Sequence, residues 1–87
     1  MHAVVVRVTL SDPDESLEVL RNTVVPRASQ APGFVAGYWT RKGNTGLSMI
    51  IAESEEAANA GAEMVPGLIP DGVTLESVEV REVVAHA

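Results

Sequence analysis

The segment FVAGYWTRKGNTGLSMIIAE contains two apolar strand patterns and a turn, and its two largest aromatic residues are neighbours in the chain. Residues 34–42 and 47–53 predict two strands, and the glycines and asparagine within 42–46 predict the tight turn between them. Neighbouring side chains on a strand point to opposite faces of a sheet, so Tyr38 and Trp39 cannot share one core. The pattern therefore predicts a sheet that is apolar on both faces.

Alternation along the first of these strands assigns its side chains to two faces. One face receives Phe34, Ala36 and Tyr38, and the other receives Val35, Gly37 and Trp39. A glycine in mid-strand typically marks a bulge or a close backbone approach. Helices can cover only one of the two faces, and soluble monomers rarely expose a large apolar patch. We therefore expect a second copy of the chain to cover the other face.

The residues before this hairpin predict a strand and a helix. Residues 2–10 have the β-branched, alternating character of a strand. Asp12 followed by Pro13 predicts a helix start, because the carboxylate accepts from free N–H groups and proline suits the first turn. One apolar stripe follows, made of Leu17, Leu20, Val24 and Ala28. Pro26 falls within this helix, where we expect a kink or a short interruption.

The residues after the hairpin predict a second helix and a last strand. The helix covers residues 54–65, with Ser54 as its N-cap, and the Pro-Gly pair that follows is expected to end it. Its predicted inward residues are mostly small: Ala57, Ala58, Gly61, Met64 and Val65. Residues 73–84 predict the strand, with a bulge near Glu76 where the apolar phase shifts.

The order β-α-β-β-α-β predicts an α+β fold of the ferredoxin-like type, with four antiparallel strands and two helices on one face. Right-handed crossovers then give the spatial strand order 4-1-3-2. A length of 87 residues suits one domain over residues 1–87.

The composition argues against several classes of protein. The chain has no cysteine, which excludes disulfides and thiolate ligands. Its formal net charge is −6 and its six Lys and Arg residues are scattered, so no basic surface for nucleic acid is expected. It shows neither a signal-peptide pattern nor a run of about 18 apolar residues that would span a membrane. These features predict a cytoplasmic protein without nucleic-acid or membrane partners.

The pairing of the first and last strands bears on a possible metal site. One register sets Arg7 opposite Glu79 and also matches valines on the apolar face. A shift by two residues would bring His2 opposite His86, but it would set Arg7 against Arg81. Like charges disfavour that register, and the histidines have no third ligand nearby, so no metal site is predicted.

Three features together carry a family resemblance: the order of the elements, the segment APGFVAGYW after the first helix, and the segment IIAESEEAANA where a strand enters the second helix. In these features the chain resembles the dimeric α+β barrel superfamily, especially its antibiotic-biosynthesis-monooxygenase-like branch. The resemblance covers nearly the whole chain. It implies a homodimer whose two sheets face each other, and a small pocket between sheet and helices.

The same resemblance implies several chemistries, which include cofactor-free oxygenation, haem degradation and isomerisation, so the fold alone does not choose among them. Related enzymes often carry a histidine in the second helix, whereas EEAANAGAEM has none. Haem ligation through such a histidine is therefore not expected, and no cofactor is predicted.

Four residues are candidates for ligand binding: Trp39, Tyr38, Asn22 and Arg41. Either aromatic ring could stack on a planar molecule, and core packing or dimer contact is the alternative role for each. Asn22 borders the apolar stripe of the first helix and could bind a carbonyl group or simply face solvent. Arg41 could attract an anionic ligand. No residue is assigned a catalytic role.

Three functions stay open at this level. The first is a homodimer that binds a small apolar or aromatic molecule. The second is a cofactor-independent monooxygenase-like enzyme acting on a small aromatic substrate, which needs a proton acceptor and a dry cavity. The third is a non-catalytic association module. A cavity that reaches an aromatic ring and a polar group favours the enzyme, and a purely aliphatic cavity favours the module.

Overall fold

The computed structural model describes residues 1–87 and contains four strands and two helical regions. The strands are β1 (His2–Leu10), β2 (Phe34–Lys42), β3 (Thr45–Ala52) and β4 (Val73–Glu82). The first helical region consists of α1 (Pro13–Val19), a π-helical segment (Leu20–Val24) and α2 (Val25–Ser29), and the second is α3 (Glu55–Leu68). The predicted order of elements is confirmed.

The four strands form one antiparallel sheet in the order β2-β3-β1-β4. This is the predicted order read from the opposite edge. Both helical regions lie against the same face, because residues of both line one cavity together with residues of β1, β2 and β3. The architecture is α+β and is compatible with a ferredoxin-like arrangement.

The two predicted N-caps are confirmed by hydrogen bonds. Asp12 Oδ1 accepts from the backbone N–H of Glu15 at 3.1 Å, and Ser54 Oγ accepts from that of Ala57 at 3.1 Å. Each bond satisfies one of the N–H groups that a helix start leaves without a partner. The polar residue before each helix thus fixes where the chain leaves the sheet.

Pro26 accounts for the π-helical segment in the first helical region. A proline has no N–H to donate to the carbonyl four residues earlier, so a regular α-helix cannot run through it unchanged. The chain widens into a π turn over Leu20–Val24 and returns to α geometry with Pro26 in the first turn of α2, where its missing N–H costs little. The interruption predicted at this proline is confirmed.

The predicted end of α3 is wrong. The helix continues through Pro66 to Leu68 instead of ending before the proline. Leu68 lines the cavity and Ile69 packs against the core, so the longer helix brings apolar side chains to the sheet that compensate for a distorted turn. The inward position predicted for Met64 is also wrong, because that residue is 42% exposed.

The pairing of β1 with β4 differs from the predicted register. Arg7 lies opposite Ser77 rather than opposite Glu79. Glu79 instead pairs with Arg81 of its own strand, with 3.1 Å between Oε1 and Nε. Exposed ion pairs contribute little to stability, so a charge match of this kind does not decide a register.

Apolar contacts on the face of the sheet that packs against the helices set the register of β1 with β4. The predicted bulge is confirmed: the register shifts between Arg7 and Val8, which leaves Glu76 as the extra residue of β4. Four apolar pairs result: Val4 with Val80, Val6 with Val78, Val8 with Leu75, and Leu10 with Val73. The predicted register would have matched fewer apolar pairs on this face.

The start of β2 contains a second bulge, at Val35. Phe34 consequently lies on the same face as Trp39, and its Cε2 atom is 3.4 Å from the position that a Cβ at Gly37 would take. The predicted grouping of Phe34 with Tyr38 is wrong, because one extra residue in a strand inverts the alternation beyond it.

The core between the sheet and α3 consists of small apolar residues. Its fully buried members are Val4, Val6, Ala52, Ala58 and Val65. Ala58 has no exposed surface, so this helix approaches the sheet as closely as its small residues allow. The first helical region carries larger side chains, and the space between it and the sheet stays partly unfilled.

Candidate functional site

A cavity of about 350 Å³ lies between the sheet and the two helical regions. Its walls are mainly aliphatic, and its polar lining residues are Ser16, Arg21, Thr40, Arg41 and Ser48. Of these, the two arginines are exposed, so they lie toward its mouth. Thr40 pairs with Leu47 and alternates with Trp39 and Arg41, so its side chain points to the other face of the sheet. Pockets that bind small molecules measure about 300–1,000 Å³, so this cavity suits a small ligand.

The first helical region supplies one wall of the cavity. All four residues of the predicted apolar stripe line it: Leu17, Leu20, Val24 and Ala28. The prediction that this stripe faces the sheet is therefore confirmed. Leu20 and Val24 belong to the π-helical segment, and π segments inside helices are frequent at functional sites.

Trp39 is the aromatic residue of the cavity. It lies on the helix face of β2, opposite Ser48 of β3, and it is half-buried. Its six-membered ring covers Gly37, because a Cβ at that glycine would come within 2.6 Å of Trp39 Cη2. The group that approaches Gly37 closely is thus the indole ring of Trp39, not the backbone that a glycine in mid-strand predicts.

Arg41 lines the same cavity and connects the end of β2 to the start of α1. Its Nη1 donates to the backbone carbonyl of Pro13 at 3.0 Å and lies 3.4 Å from Asp14 Oδ1. The Asp14 side chain is 94% exposed, so solvent screens this ion pair and it contributes little to stability. The carbonyl contact is what holds the guanidinium beside the cavity.

Tyr38 and Asn22 lie outside the cavity. Tyr38 belongs to the opposite face of the sheet and is 64% exposed. Asn22 is exposed in the π-helical segment and does not line the cavity. Of the four candidates from the sequence, the structure therefore brings together Trp39 and Arg41.

Arg21 and Ser48 are two of the lining residues that the sequence analysis does not predict. Arg21 follows Leu17 by four positions and precedes Val24 by three, which places it on the same helix face as the apolar stripe. That spacing is a signal that could have found it. Ser48 lies opposite Trp39, and its place follows only from the pairing of β2 with β3.

The sheet face away from the helices carries exposed apolar side chains on neighbouring strands. Tyr38 of β2 pairs with Met49 of β3, which pairs in turn with Val5 of β1, a residue that is already buried. Met49 is 43% exposed and Leu47, two residues before it, is 39% exposed. We call this surface the open sheet face. Arg7 also lies on it and has no carboxylate within ion-pair distance.

The chain contains no group of three His, Asp or Glu residues that could hold a metal ion. His2 Nε2 lies 3.3 Å from Glu55 Oε2, and its buried Nδ1 has no hydrogen-bond partner. These two side chains join the start of β1 to the start of α3, away from the cavity. No histidine, carboxylate, tyrosine or methionine lines the cavity.

No family model matches the chain, and no curated protein matches it. None of its helices has the length and apolar character needed to cross a membrane. We therefore infer its function from the geometry of the cavity and of the open sheet face.

Proposed function

We propose that this chain binds a small apolar or aromatic molecule in the cavity between its sheet and its helices. The observation that carries the proposal is an apolar cavity of about 350 Å³ that reaches the half-buried ring of Trp39. Aliphatic walls favour transfer of an apolar ligand from water. An indole ring adds a flat surface for a planar ligand.

A cofactor-independent monooxygenase-like activity is the second candidate, in keeping with the resemblance to the antibiotic-biosynthesis-monooxygenase-like branch. A cavity that reaches both an aromatic ring and polar groups favours it over an association module. Such chemistry also needs a group that accepts a proton from the substrate. The lining offers Ser16 and Ser48 but no histidine or carboxylate, so binding without chemistry fits these residues better.

A second copy of the chain on the open sheet face is part of the same proposal, as is the cytoplasmic location predicted from the sequence. Tyr38, Leu47 and Met49 are each more than one-third exposed on adjacent strands, which makes a continuous apolar surface. Arg7 lies beside them without an ionic partner. A twofold contact would bury the apolar residues and could supply a carboxylate to that arginine.

Fluorescence of Trp39, the single tryptophan of the chain, tests the binding proposal directly. Neutral probes, 1-octanol and toluene, should each change its emission in a saturable way. Ser48→Leu places a larger side chain opposite the ring and should weaken binding at least about tenfold, since the added carbons occupy the ligand's space.

Met49→Leu is the matched control, because residue 49 is the next along β3 and points to the open sheet face. This exchange nearly conserves volume and should leave probe affinity within twofold. Circular dichroism establishes that both variants are folded. A linear, non-saturable response of the wild-type chain, or equal affinities in the two variants, would contradict the proposal.

A further inference from the structure

The charges around the cavity are unlike those of the rest of the chain. The protein carries 12 Asp and Glu residues against six Lys and Arg residues, yet no carboxylate lines the cavity. Two arginines do line it, Arg21 and Arg41. An acidic protein thus has one apolar cavity whose only charged lining groups are positive.

Arg21 has no partner within the chain. It forms none of the three ion pairs of the structure and none of the side-chain hydrogen bonds made by arginines. The residue is exposed and also contributes to the lining, so its guanidinium lies at the mouth with its N–H groups free for a ligand. It enters the cavity wall from the π-helical segment, between Leu20 and Val24.

Arg41 approaches the cavity from the sheet. Its contacts with Pro13 and Asp14 are made by Nη1 alone, which leaves Nη2 and Nε without a hydrogen bond. The carbonyl of Pro13 restricts where this guanidinium can go. The ligand would therefore meet one tethered and one untethered positive group, each with free donors.

We infer that the preferred ligand is an apolar molecule that carries a single carboxylate, with its apolar part inside the cavity and its carboxylate bound by Arg21 and Arg41 at the mouth. A guanidinium matches a carboxylate with two parallel N–H···O bonds, and such bonds are stronger than those between neutral groups. A neutral ligand would form no such charge-assisted bond with either guanidinium. This inference rests on the proposed function and specifies the chemical class of its ligand.

Three probes of equal chain length distinguish the head groups: octanoate, 1-octanol and octylammonium. Each is titrated at neutral pH and low salt, with Trp39 fluorescence as the readout. Octanoate should bind roughly five- to tenfold more tightly than 1-octanol, because charge-assisted hydrogen bonds at a partly exposed mouth are weaker than buried ones. Octylammonium should bind more weakly than either.

Variants assign the effect to particular arginines. Arg21→Gln should lower the affinity for octanoate until it lies within about twofold of the affinity for 1-octanol. Arg41→Gln should reduce the preference in the same direction. Arg27→Gln is the matched control, because Arg27 is exposed on α2, lies in the same helical region and does not line the cavity.

The outcomes separate this inference from the binding proposal beneath it. If 1-octanol binds in a saturable way but octanoate gains nothing over it, the head-group inference is wrong and the cavity still binds apolar molecules. Tighter binding of octylammonium, or an equal effect of Arg27→Gln and Arg21→Gln, would also overturn the inference. If no probe binds, the proposed function fails and this inference fails with it.

Discussion

The indole ring of Trp39 occupies the space above Gly37, two residues earlier on the same strand. A Cβ built at residue 37 would lie 2.6 Å from Trp39 Cη2 and 2.7 Å from Cζ3. Because residues two apart on a strand point to the same face, no residue with a side chain could stand at this position without moving the ring. The glycine therefore sets how the only aromatic residue of the cavity lies against the sheet.

Gly37→Ala tests this relationship. The added methyl group should push the indole outward, shift Trp39 emission to longer wavelength and weaken probe binding in the cavity. Overpacking of this kind typically costs about 1–3 kcal/mol, which a chemical denaturation curve would measure. Unchanged emission together with unchanged stability would mean that the ring does not lie over residue 37.

Gly67→Ala is the matched control for the backbone effect of the same exchange. Gly67 lies in α3, and a Cβ there meets no atom within 4 Å. Alanine is a better helix former than glycine, so this variant should gain about 0.5–1 kcal/mol while Trp39 emission stays constant. The two exchanges should thus change stability in opposite directions.

Local chemistry in the sequence was sufficient to predict the elements and their arrangement. Asp12 and Ser54 are cap residues whose effect depends on neighbours within three positions, and both caps form. The apolar stripe of the first helix follows the helical repeat on one side of the helix. The sheet is the apolar surface against which that side can pack, so the stripe faces the sheet. With those elements in place, chain connectivity limits the strand order to very few choices.

Features that depend on contacts between residues far apart in the sequence could not be predicted from it. The predicted β1–β4 register is wrong because it matches Arg7 with Glu79 and forms two valine pairs, whereas the bulge in β4 allows four apolar pairs. The helix through Pro66 depends on apolar contacts beyond it, which no local rule includes. Asn22 was a candidate because it borders the apolar stripe, but it is exposed and does not line the cavity.

Ser54→Ala should destabilise the chain by removing the N-cap of α3. The lost bond leaves the N–H of Ala57 without its partner, and exchanges of this type cost about 1 kcal/mol. Ser77→Ala is the control, since this serine is exposed on β4 and its hydroxyl makes no hydrogen bond. Thermal unfolding of both variants measures the difference, and equal midpoints would show that the cap does not contribute.

Titration with haem should give no saturable shift of the Soret band. Haem iron is held by histidine, cysteine, methionine or tyrosine side chains, and none of these lines the cavity. His86→Ala and His2→Ala provide the check, because any weak response that either removes would come from a terminal histidine. A saturable shift that survives both exchanges would contradict the expected absence of haem binding.

Met49→Glu tests the proposed contact between two copies through the open sheet face. Met49 lies at the centre of this face, between Tyr38 of β2 and Val5 of β1. Sedimentation at micromolar concentration should show a dimer for the wild-type chain. In a twofold contact the exchange introduces two carboxylates close together in an apolar interface, so the variant should sediment as a monomer.

Asn59→Glu provides the control for the added charge. Asn59 is exposed on α3, on the other side of the molecule from the open sheet face, and this exchange changes the net charge by the same amount. Its sedimentation should match that of the wild-type chain. A dimer that persists in Met49→Glu and is lost in Asn59→Glu would place the contact on the helices. A wild-type monomer would leave the apolar residues of the open sheet face exposed to water, and the homodimer proposal would then be wrong.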